Sequence, residues 1–431
     1  MSGDSIPGSF KRVEWSYNTN IYEINLRQYT REGTFNAFLK ELPRLKAMGV
    51  QTLWIMPINP IAKEKMKGTM GSYYACSDYT AVNPEFGTLD DFKNFVKEAH
   101  KSGFKVILDW VANHTGWGHI WTKTNPGFYK KNADGSFMAA SGMDDIIELD
   151  YDNPALVQAM IEAMKFWITT CDIDGFRCDL ASWVELHFWQ KARPELEKIK
   201  PLFWLGEFDA IENPDYMEVF DAAYAWKWMH ATEDFYKHNR NVQVLRDLLL
   251  QYEHTNPPGT TGLYFTSNHD ENSWNGTEFE KYGDMALALS VLSFTWNGIP
   301  LIYSGQEMPN HKRLMFFDKD VIEWNGKYEL ADFFTTLLKL HSEHPALAAG
   351  SPMVQTNILS VSTNADILAY QRTYGKNNVL VFLNLSPYPS TVQPEINIAT
   401  PMKELFTGEL KSFIKDKTIS LSQWGYKVYV N

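Results

Sequence analysis

Titratable residues stand at the ends of four short apolar runs, where they could serve acid–base or nucleophilic chemistry. They are Asp109, Arg177, Asp179, Glu207 and the pair His269–Asp270. Arg177 and Asp179 are two residues apart, so on one strand their side chains point to the same side. An arginine beside a carboxyl group favours the ionised form. Carboxyl groups held in different protonation states can act as a nucleophile and a general acid.

The apolar runs that carry these residues belong to a larger set that we interpret as strands. Amphipathic segments separate several of them. Thr88 to Lys101 opens with a Thr-x-x-Asp capping box, and Asn153–Pro154 opens the helix Ala155 to Thr170. The eight predicted strands are Ile21–Tyr29, Thr52–Pro57, Lys105–Trp110, Ile173–Asp179, Phe203–Phe208, Ala222–Trp226, Gly262–Asn268 and Ile299–Gly305.

Alternating strands and helices favour parallel strands joined by right-handed crossovers. The fold class is therefore α/β, and eight such units predict a (β/α)₈ TIM barrel. We predict that the barrel occupies residues 1–110 and 155–348. The segment 111–154, rich in Gly, Asn, Asp and aromatic residues, is predicted as a short inserted domain after the third strand. Residues 349–431 alternate strand-like runs with turns and predict a C-terminal antiparallel β-sandwich domain.

A barrel gives the titratable residues a common location. Catalytic side chains of TIM barrels sit at the carboxyl ends of the strands. One carboxylate at a strand end is usually a helix cap or a solvated turn residue. Polar residues at the ends of several barrel strands instead predict one active site at the barrel mouth.

Composition excludes some classes of protein. The net charge is −12 and the pI is about 5.4, which argues against a nucleic-acid binder that needs a clustered basic face. Lys63, Lys65 and Lys67 are interrupted by Glu64, and we interpret them as a solvated loop. Aromatic residues make up 14% of the chain. We expect Tyr74, Trp110, Trp117, Trp121 and Trp183 near the barrel mouth, and Trp54 and Trp167 in the barrel packing.

Membrane and compartment signals are weak. The uncharged run Met285 to Gln306 contains Asn297, Gly298 and Pro300, so we predict a buried helix, turn and strand and no membrane span. Met1 to Arg12 has no apolar core of a signal peptide. A complete chain would be cytoplasmic, and an exported chain whose signal was removed would look the same.

Three cysteines without a CxxC pair indicate neither a disulfide framework nor a zinc site. We expect a monomer.

Six short stretches, in order along the chain, resemble the signatures of the α-amylase family, glycoside hydrolase family 13. They cover the chain from about residue 20 to residue 325, and the ordered set is far more specific than any one stretch. The stretches are Gly49–Pro57, Asp109–His114, Gly175–Asp179, Leu205–Phe208, Ser267–Asp270 and Gly298–Glu307.

The resemblance implies a retaining glycoside hydrolase. It implies that Asp179 is the nucleophile, Glu207 the general acid/base and Asp270 the carboxylate that stabilises the transition state. The family's contacts to the sugar at the cleavage point match a further set of residues. These are Tyr74, Asp109, His114, Arg177 and His269. The chemistry itself asks for one ionised and one protonated carboxyl group about 5–5.5 Å apart.

The chain departs from the family pattern at two places. Ser182 and Trp183 stand where the family commonly has a Lys-His pair, and Trp183 could offer a stacking surface for a sugar. Glu148–Leu149–Asp150 stands where many members have Asp-Leu-Asn, whose aspartate binds calcium. Asn113 and Glu148 are therefore candidate ligands of a structural Ca²⁺. Calcium takes six to eight oxygens, and the sequence names only these two. The chemistry itself requires no cofactor.

The expected substrate is an α-1,4-glucan, either starch or a maltodextrin. Endo-action of the α-amylase type is favoured because the inserted segment is short and has few means to wall off the cleft. An α-glucosidase or a glucanotransferase of the same family is the alternative, since a sugar could intercept the glycosyl-enzyme. A non-catalytic glucan-binding protein on the same barrel is a third reading. The presence of Asp179, Glu207 and Asp270 argues against it.

Overall fold

The computed structural model describes residues 10–362 and 366–431. Residues 1–9, within the Met1 to Arg12 stretch discussed above, lie outside that range. Eight parallel strands form a closed barrel in chain order, and the pairing of Ile21 with Leu301 joins the last strand to the first. The predicted fold class is confirmed. The strands are β1 (Ile21–Ile24), β2 (Thr52–Ile55), β3 (Lys105–Trp110), β4 (Gly175–Cys178), β5 (Phe203–Gly206), β6 (Ala222–Tyr224), β7 (Thr261–Tyr264) and β8 (Gly298–Tyr303).

Most strands end earlier than the sequence predicts, and β1 shows why. The run Ile21–Tyr29 is apolar enough for one strand, but the strand ends at Ile24. Asn25 caps a one-turn helix, Leu26–Tyr29, with its side-chain oxygen accepting the N–H of Gln28. A local capping bond thus ends the strand although the apolar pattern continues.

Helices surround the barrel, and the two predicted helix starts are present. Thr88 and Asp91 exchange hydrogen bonds as a capping box, and Asn153 accepts the N–H of Ala155 ahead of a proline. The longer helices are Leu42–Met48, Leu89–Lys101, Pro154–Cys171, Leu186–Glu197, Trp226–His238, Val242–Thr255, Ala286–Thr295 and Ala331–Glu343. One-turn helices are Leu26–Tyr29, Phe35–Phe38, Trp121–Thr124 and Glu278–Tyr282, and Glu271–Asn275 is a π-helix.

The connection from β5 to β6 is the irregular unit of the barrel. Its residues, all described by the structure, form the 3₁₀-helix Pro214–Glu218 and no α-helix. Other short 3₁₀-helices are Glu14–Tyr17, Leu39–Glu41, Pro126–Phe128, Ala181–Trp183, Gly283–Met285 and Pro345–Leu347. The one formed by Ala181–Trp183 is separated from β4 by Asp179 and Leu180 and carries part of the cleft wall.

The segment between β3 and the helix Pro154–Cys171 contains a small antiparallel sheet. Its strands are His114–Gly116, Met143–Glu148 and Ala139–Ala140, with the second in the middle. His114 pairs with Glu148 in this sheet, so residues close to the barrel mouth are tied to the far end of the segment.

The C-terminal region is a six-stranded antiparallel sheet faced by a two-stranded one. Along the strand Ile367–Tyr374, Ile367 and Ala369 join a core with the small sheet, whereas Leu368 and Tyr370 join the core of the barrel. The large sheet is therefore buried on both faces. Its strands, in spatial order, are Gln355–Ile358, Ile367–Tyr374, Asn377–Asn384, Tyr426–Val430, Met402–Glu404 and Leu410–Lys411. Ser390–Val392 and Ile419–Leu421 form the small sheet.

The uncharged run Met285 to Gln306 forms the helix Ala286–Thr295 and strand β8, as predicted. Across the described residues, every helix is too short or too polar to cross a bilayer.

Candidate active site

The carboxyl ends of the barrel strands bring the predicted site residues into one cleft of about 520 Å³. Its wall includes the three predicted catalytic carboxyl groups together with several predicted sugar-binding residues. These lining residues are Tyr74, His114, Asp179, Trp183, Glu207, His269 and Asp270. Asp109 and Arg177 lie beneath them, fully buried and bonded to the lining residues. All nine predicted catalytic and sugar-binding residues thus belong to one contiguous cluster.

Arg177 is the charge at the centre of this cluster. Its Nη1 donates to Asp109 Oδ1 at 3.1 Å and to Asp179 Oδ1 at 2.9 Å, while its Nε donates to the hydroxyl of Tyr224. Its Nη2 lies 2.9 Å from Glu207 Oε2 without the alignment of a hydrogen bond. One guanidinium therefore stabilises the two aspartates by hydrogen bonds and places positive charge beside Glu207, because its fork presents several donors in one plane.

Glu207 follows β5 directly and is held by the backbone of the neighbouring strand. Its Oε2 accepts the N–H of Leu180 at 2.9 Å. Leu180 itself adopts a left-handed conformation with φ of +40°, which is strained for a branched side chain. This conformation lies between Asp179 and the 3₁₀-helix that carries Trp183, where it turns the chain after β4.

Burial is the largest influence on the pKa values of the buried carboxyl groups, and it raises them. It raises the pKa of Asp179 to about 6, against the lowering effect of Arg177. It likewise raises the pKa of Asp109 to about 6 and raises the pKa of Glu207, with Arg177 again opposing. The guanidinium keeps Asp179 ionised near neutrality, as expected from the sequence, but it does not hold its pKa below the ordinary value.

Tyr74 links the carboxylates to a histidine. Its hydroxyl lies 2.9 Å from both Asp109 Oδ2 and His269 Nε2, and its ring stacks on the His269 imidazole. Asp109 Oδ2 also accepts the indole N–H of Trp54 at 3.0 Å. Trp54 therefore packs inside the barrel, as predicted, and also fixes the base of the cleft.

Aromatic side chains line the rim of the cleft, but they are only partly those predicted. Trp183 is 45% exposed and lines the cleft. Trp110 is fully buried against Tyr79. Trp117 and Trp121 are half-buried and do not line it. None of these three lines the cleft, because their rings pack against neighbouring side chains. Trp274, Phe316 and Phe317 line it instead and were missed.

Lys67 joins two walls of the cleft. Its Nζ lies 3.1 Å from Asp144 Oδ1 and 3.4 Å from Asp145 Oδ1, both on the inserted strand. Lys65 places its ammonium 3.4 Å from the centre of the Trp117 ring. The lysine cluster lies in an exposed loop, as interpreted from the sequence, but Lys65 and Lys67 also contact the inserted segment.

The candidate calcium ligands are engaged by other groups. Glu148 Oε2 lies 3.5 Å from Lys130 Nζ, which is also 3.7 Å from Glu185 Oε1. The Asn113 side-chain nitrogen contacts His114 Nδ1, and its backbone oxygen accepts the N–H of Leu149. The described residues contain no cluster of three or more His, Cys, Asp or Glu side chains suited to a metal. This donor set does not fit calcium, because an ammonium already balances Glu148. Loss of thermal stability on exhaustive chelation would restore the calcium prediction.

Known proteins resemble this chain over almost its whole length. The family model for the alpha amylase catalytic domain matches residues 6–138 and 128–335. Alpha-amylase 2 of Dictyoglomus thermophilum is 24% identical and aligns over 93% of this chain and 75% of its own. An alpha-amylase of Haloarcula japonica is 26% identical, again over 93% of this chain but only 60% of its own.

A crystal structure of an alpha-amylase from Lactobacillus plantarum is 27% identical, with a TM-score of 0.87, and covers 97% of this chain and 99% of that one. The family match spans the barrel that carries Asp179, Glu207 and Asp270, and the structural match extends through the C-terminal sheets. This chain belongs to the α-amylase family of glycoside hydrolases.

Proposed function

We propose that the chain hydrolyses α-1,4-glucosidic bonds of starch-type glucans and maltodextrins with retention of anomeric configuration. The observation that carries this proposal is the meeting of Asp179, Glu207 and Asp270 in one cleft above the buried Arg177. Its relatives named above are α-amylases, which supports the same substrate class.

In the first step Asp179 attacks the anomeric carbon while Glu207 gives its proton to the departing glycosidic oxygen. The bond to the leaving sugar breaks and a glycosyl ester of Asp179 forms. Asp270, 40% exposed at the cleft wall, is placed to stabilise positive charge on the sugar ring. Water then attacks the ester, Glu207 takes its proton, and Asp179 is released as a carboxylate.

The electrostatics of the cleft support this division of roles. Burial raises the pKa of Glu207, and the charge of Asp179 raises it further. When Asp179 becomes an ester, that charge disappears while Arg177 remains, so the pKa of Glu207 falls. Glu207 is therefore an acid before glycosylation and a base after it.

Four further residues are proposed to hold the sugar at the cleavage point. The buried Nε2 of His114 has no protein partner among the described residues, and His114 lines the cleft, so it can bond a hydroxyl group. His269 and Tyr74 line the same wall, with Asp109 bonded behind them. A neutral polyol with apolar ring faces suits such a mixture of stacking and hydrogen-bonding groups.

A timed product profile on starch, pullulan and defined maltodextrins tests the proposal, with proton NMR of the first product. We expect cleavage of starch and maltodextrins and an α-anomer as the first product. A β-anomer as the first product would contradict retention, and absence of turnover on every α-glucan would contradict the substrate class. Mixed early products of intermediate length would support the endo-action predicted from the sequence.

Transfer to a sugar acceptor, or α-glucosidase action, is the second candidate. Trp183 is the observation that favours it, because an exposed indole close to Asp179 offers a face on which an acceptor sugar could stack. Digestion of maltoheptaose separates these outcomes. Oligosaccharides longer than the substrate indicate transfer, and glucose as the sole early product indicates exo-action.

A further inference from the structure

Two histidines line the same cleft in opposite electrostatic surroundings. His114 Nδ1 lies 3.2 Å from the side-chain amide of Asn113, and burial lowers its pKa to about 4. His269 Nδ1 lies 2.6 Å from Glu23 Oε1. Burial alone would also lower the pKa of His269, but Asp270 and Glu23 outweigh burial and raise it to about 9.

Glu23 lies 246 residues before His269 in the chain and is fully buried. It lies within β1, where it pairs with Trp54 of β2 and Tyr303 of β8. Its Oε1 accepts the backbone N–H of His269 at 3.1 Å in addition to the ring contact. Its Oε2 is buried without a hydrogen-bond partner among the described residues. A buried carboxylate with one unsatisfied oxygen lowers the stability of the fold, so its presence at this position indicates a functional role.

The hydrogen bonds around His269 determine which of its two ring nitrogens carry a hydrogen. A carboxylate only accepts, so Nδ1 must carry a hydrogen to bond Glu23. The single hydroxyl proton of Tyr74 bonds the Asp109 carboxylate at 2.9 Å. The contact between Tyr74 and His269 Nε2 then requires a hydrogen on Nε2 as well. Both ring nitrogens are therefore donors, and the ring is an imidazolium cation.

The charged and titratable groups around this ring come from every element packed on it. Glu23 from β1 and Asp270 from the same loop are negative, the latter with its Oδ2 3.4 Å from Nε2. Tyr74 links the ring to the Asp109 carboxylate. Glu207, which follows β5, is a further acidic group, whose pKa the charge of His269 lowers. Arg177 from β4 is the opposing cation. Two close carboxylates against one more distant guanidinium favour the charged ring.

We propose that Glu23 is a positioning residue for the hydrolysis: it fixes the His269 ring and keeps it doubly protonated, so that the Nε2–H, which bonds the Tyr74 hydroxyl in the free protein, becomes a charged donor to a sugar hydroxyl group when substrate occupies the cleft. The inference rests on the proposed function, because it assigns the cleft the same sugar-binding role. A charged donor makes a hydrogen bond roughly twice as strong as a neutral one. Bonds to sugar hydroxyl groups that strengthen in the transition state assist glycoside cleavage.

The variant Glu23→Gln keeps the shape of the side chain and removes its charge. We expect the pKa of His269 to fall toward the ordinary value of about 6.5. Deprotonation of Glu207 limits kcat/KM at high pH in both proteins, so the loss caused by a neutral His269 is measured by the ratio of the two: kcat/KM of Glu23→Gln should fall about tenfold further below that of wild type at pH 8 than at pH 6. The variant Glu23→Asp keeps the charge, so its ratio to wild type should be the same at both pH values even where its rate is lower.

A second measurement does not depend on turnover. The ¹⁵N imidazole signals of His269, assigned by comparison with His269→Gln, report its pKa in the unliganded protein. We expect a value well above that of His114, and a shift downward in Glu23→Gln but not in Asn113→Ala. A wild-type His269 that titrates near or below pH 6.5, or pH profiles of Glu23→Gln and wild type that run parallel, would overturn the proposal. If the NMR result holds but no α-glucan is cleaved, the proposed function fails and the charge assignment stands.

Discussion

The floor and the rim of the cleft are built on different physical principles. Asp109, Arg177, Asp179 and Glu207 on the floor are all buried; Arg177 joins the two aspartates by charge-assisted hydrogen bonds and lies within ion-pair distance of Glu207. On the rim, Trp183 and Trp274 are about half exposed, and the carboxylate of Asp144, which pairs with Lys67, is 89% exposed.

From this difference we infer that the floor carries the chemical steps and that the rim determines which substrates bind. On the floor the dielectric is low, so each charge strongly affects the protonation of its neighbours and the stability of the fold. On the rim, water and salt weaken charge interactions, and aromatic faces supply most of the contact. We therefore expect floor substitutions to change kcat and stability, whereas rim substitutions should change KM and the choice between substrates.

The largest effect is expected from the two catalytic carboxyl groups. Asp179→Asn removes the attacking carboxylate and Glu207→Gln removes the proton donor, while both keep the shape of the side chain. Each should lower kcat by about 10²–10⁴-fold or more. Thermal unfolding should remain cooperative, which separates lost chemistry from lost fold. Near-normal turnover by either variant would contradict the assigned roles.

The next effect is on stability, through Arg177. Arg177→Met leaves Asp109 and Asp179 buried without their cation, which should lower the free energy of unfolding by about 3–5 kcal/mol. Urea denaturation at pH 7 measures the change. At pH 5 the loss should be smaller, because protonation removes the unpaired charge: burial raises the pKa values of these carboxyl groups to about 6 beside Arg177, and loss of the guanidinium raises them further. An equal loss at both pH values would contradict this account.

In the unmodified protein, the fall of kcat/KM at low pH measures the ionisation of the buried carboxyl groups on the floor. Asp179 attacks only as a carboxylate, and burial raises its pKa to about 6. Below that value kcat/KM should fall about tenfold for each pH unit. Because Asp109 and Asp179 share Arg177, the measured value belongs to the cluster. If kcat/KM is unchanged down to pH 4.5 while the protein stays folded, burial does not raise the pKa of Asp179 as we expect.

The floor could be predicted from the sequence because its residues are tied to regular elements. Asp109 is the last residue but one of β3, and Asp179 and Glu207 directly follow β4 and β5, so a barrel alone brings them together. Their residue types also match short family signatures. Glu23 was not recognised, although a charged residue inside the apolar run Ile21–Ile24 was a visible signal of a buried role.

The rim could not be predicted, because its residues lie on irregular segments. Trp274 stands on a π-helix after β7, and Phe316 and Phe317 lie in the connection after β8. No hydrophobic period fixes the path of such loops. The contact of Lys67 with Asp144 joins two segments far apart in the sequence, and both side chains resemble ordinary surface residues.

Truncation of a rim aromatic should act on binding. Trp183→Ala and Trp274→Ala each remove a stacking face, and stacked aromatic contacts contribute about 0.5–1.5 kcal/mol. KM for maltoheptaose should therefore rise about two- to tenfold with kcat changed less. Isothermal titration with a non-hydrolysed maltodextrin in an Asp179→Asn background checks binding directly. Tyr388→Ala, exposed in the C-terminal domain, is the control and should change neither value. A fall in kcat with no change in KM would contradict this prediction, because it would show that these rings affect the chemical step and not binding.

The smallest effect is expected at the Lys67 bridge, and it bears on the predicted endo-action. Exposed ion pairs contribute about 0–1 kcal/mol, so Lys67→Met should change kcat/KM by less than about fivefold. Because Lys67 and Asp145 line the cleft from two sides, removal of the bridge should favour long chains. The ratio of activity on starch to activity on maltoheptaose should rise, while Lys63→Met on the same loop should leave it unchanged.

Salt provides an independent test of that bridge. At 1 M ionic strength the Debye length is about 3 Å, so the wild-type ratio should move toward that of Lys67→Met. The variant itself should respond little, since it has no bridge left to screen. Asp144→Asn combined with Lys67→Met should add nothing to the single change if the two groups act as a pair. Equal salt responses in wild type and variant would show that the rim acts through shape alone.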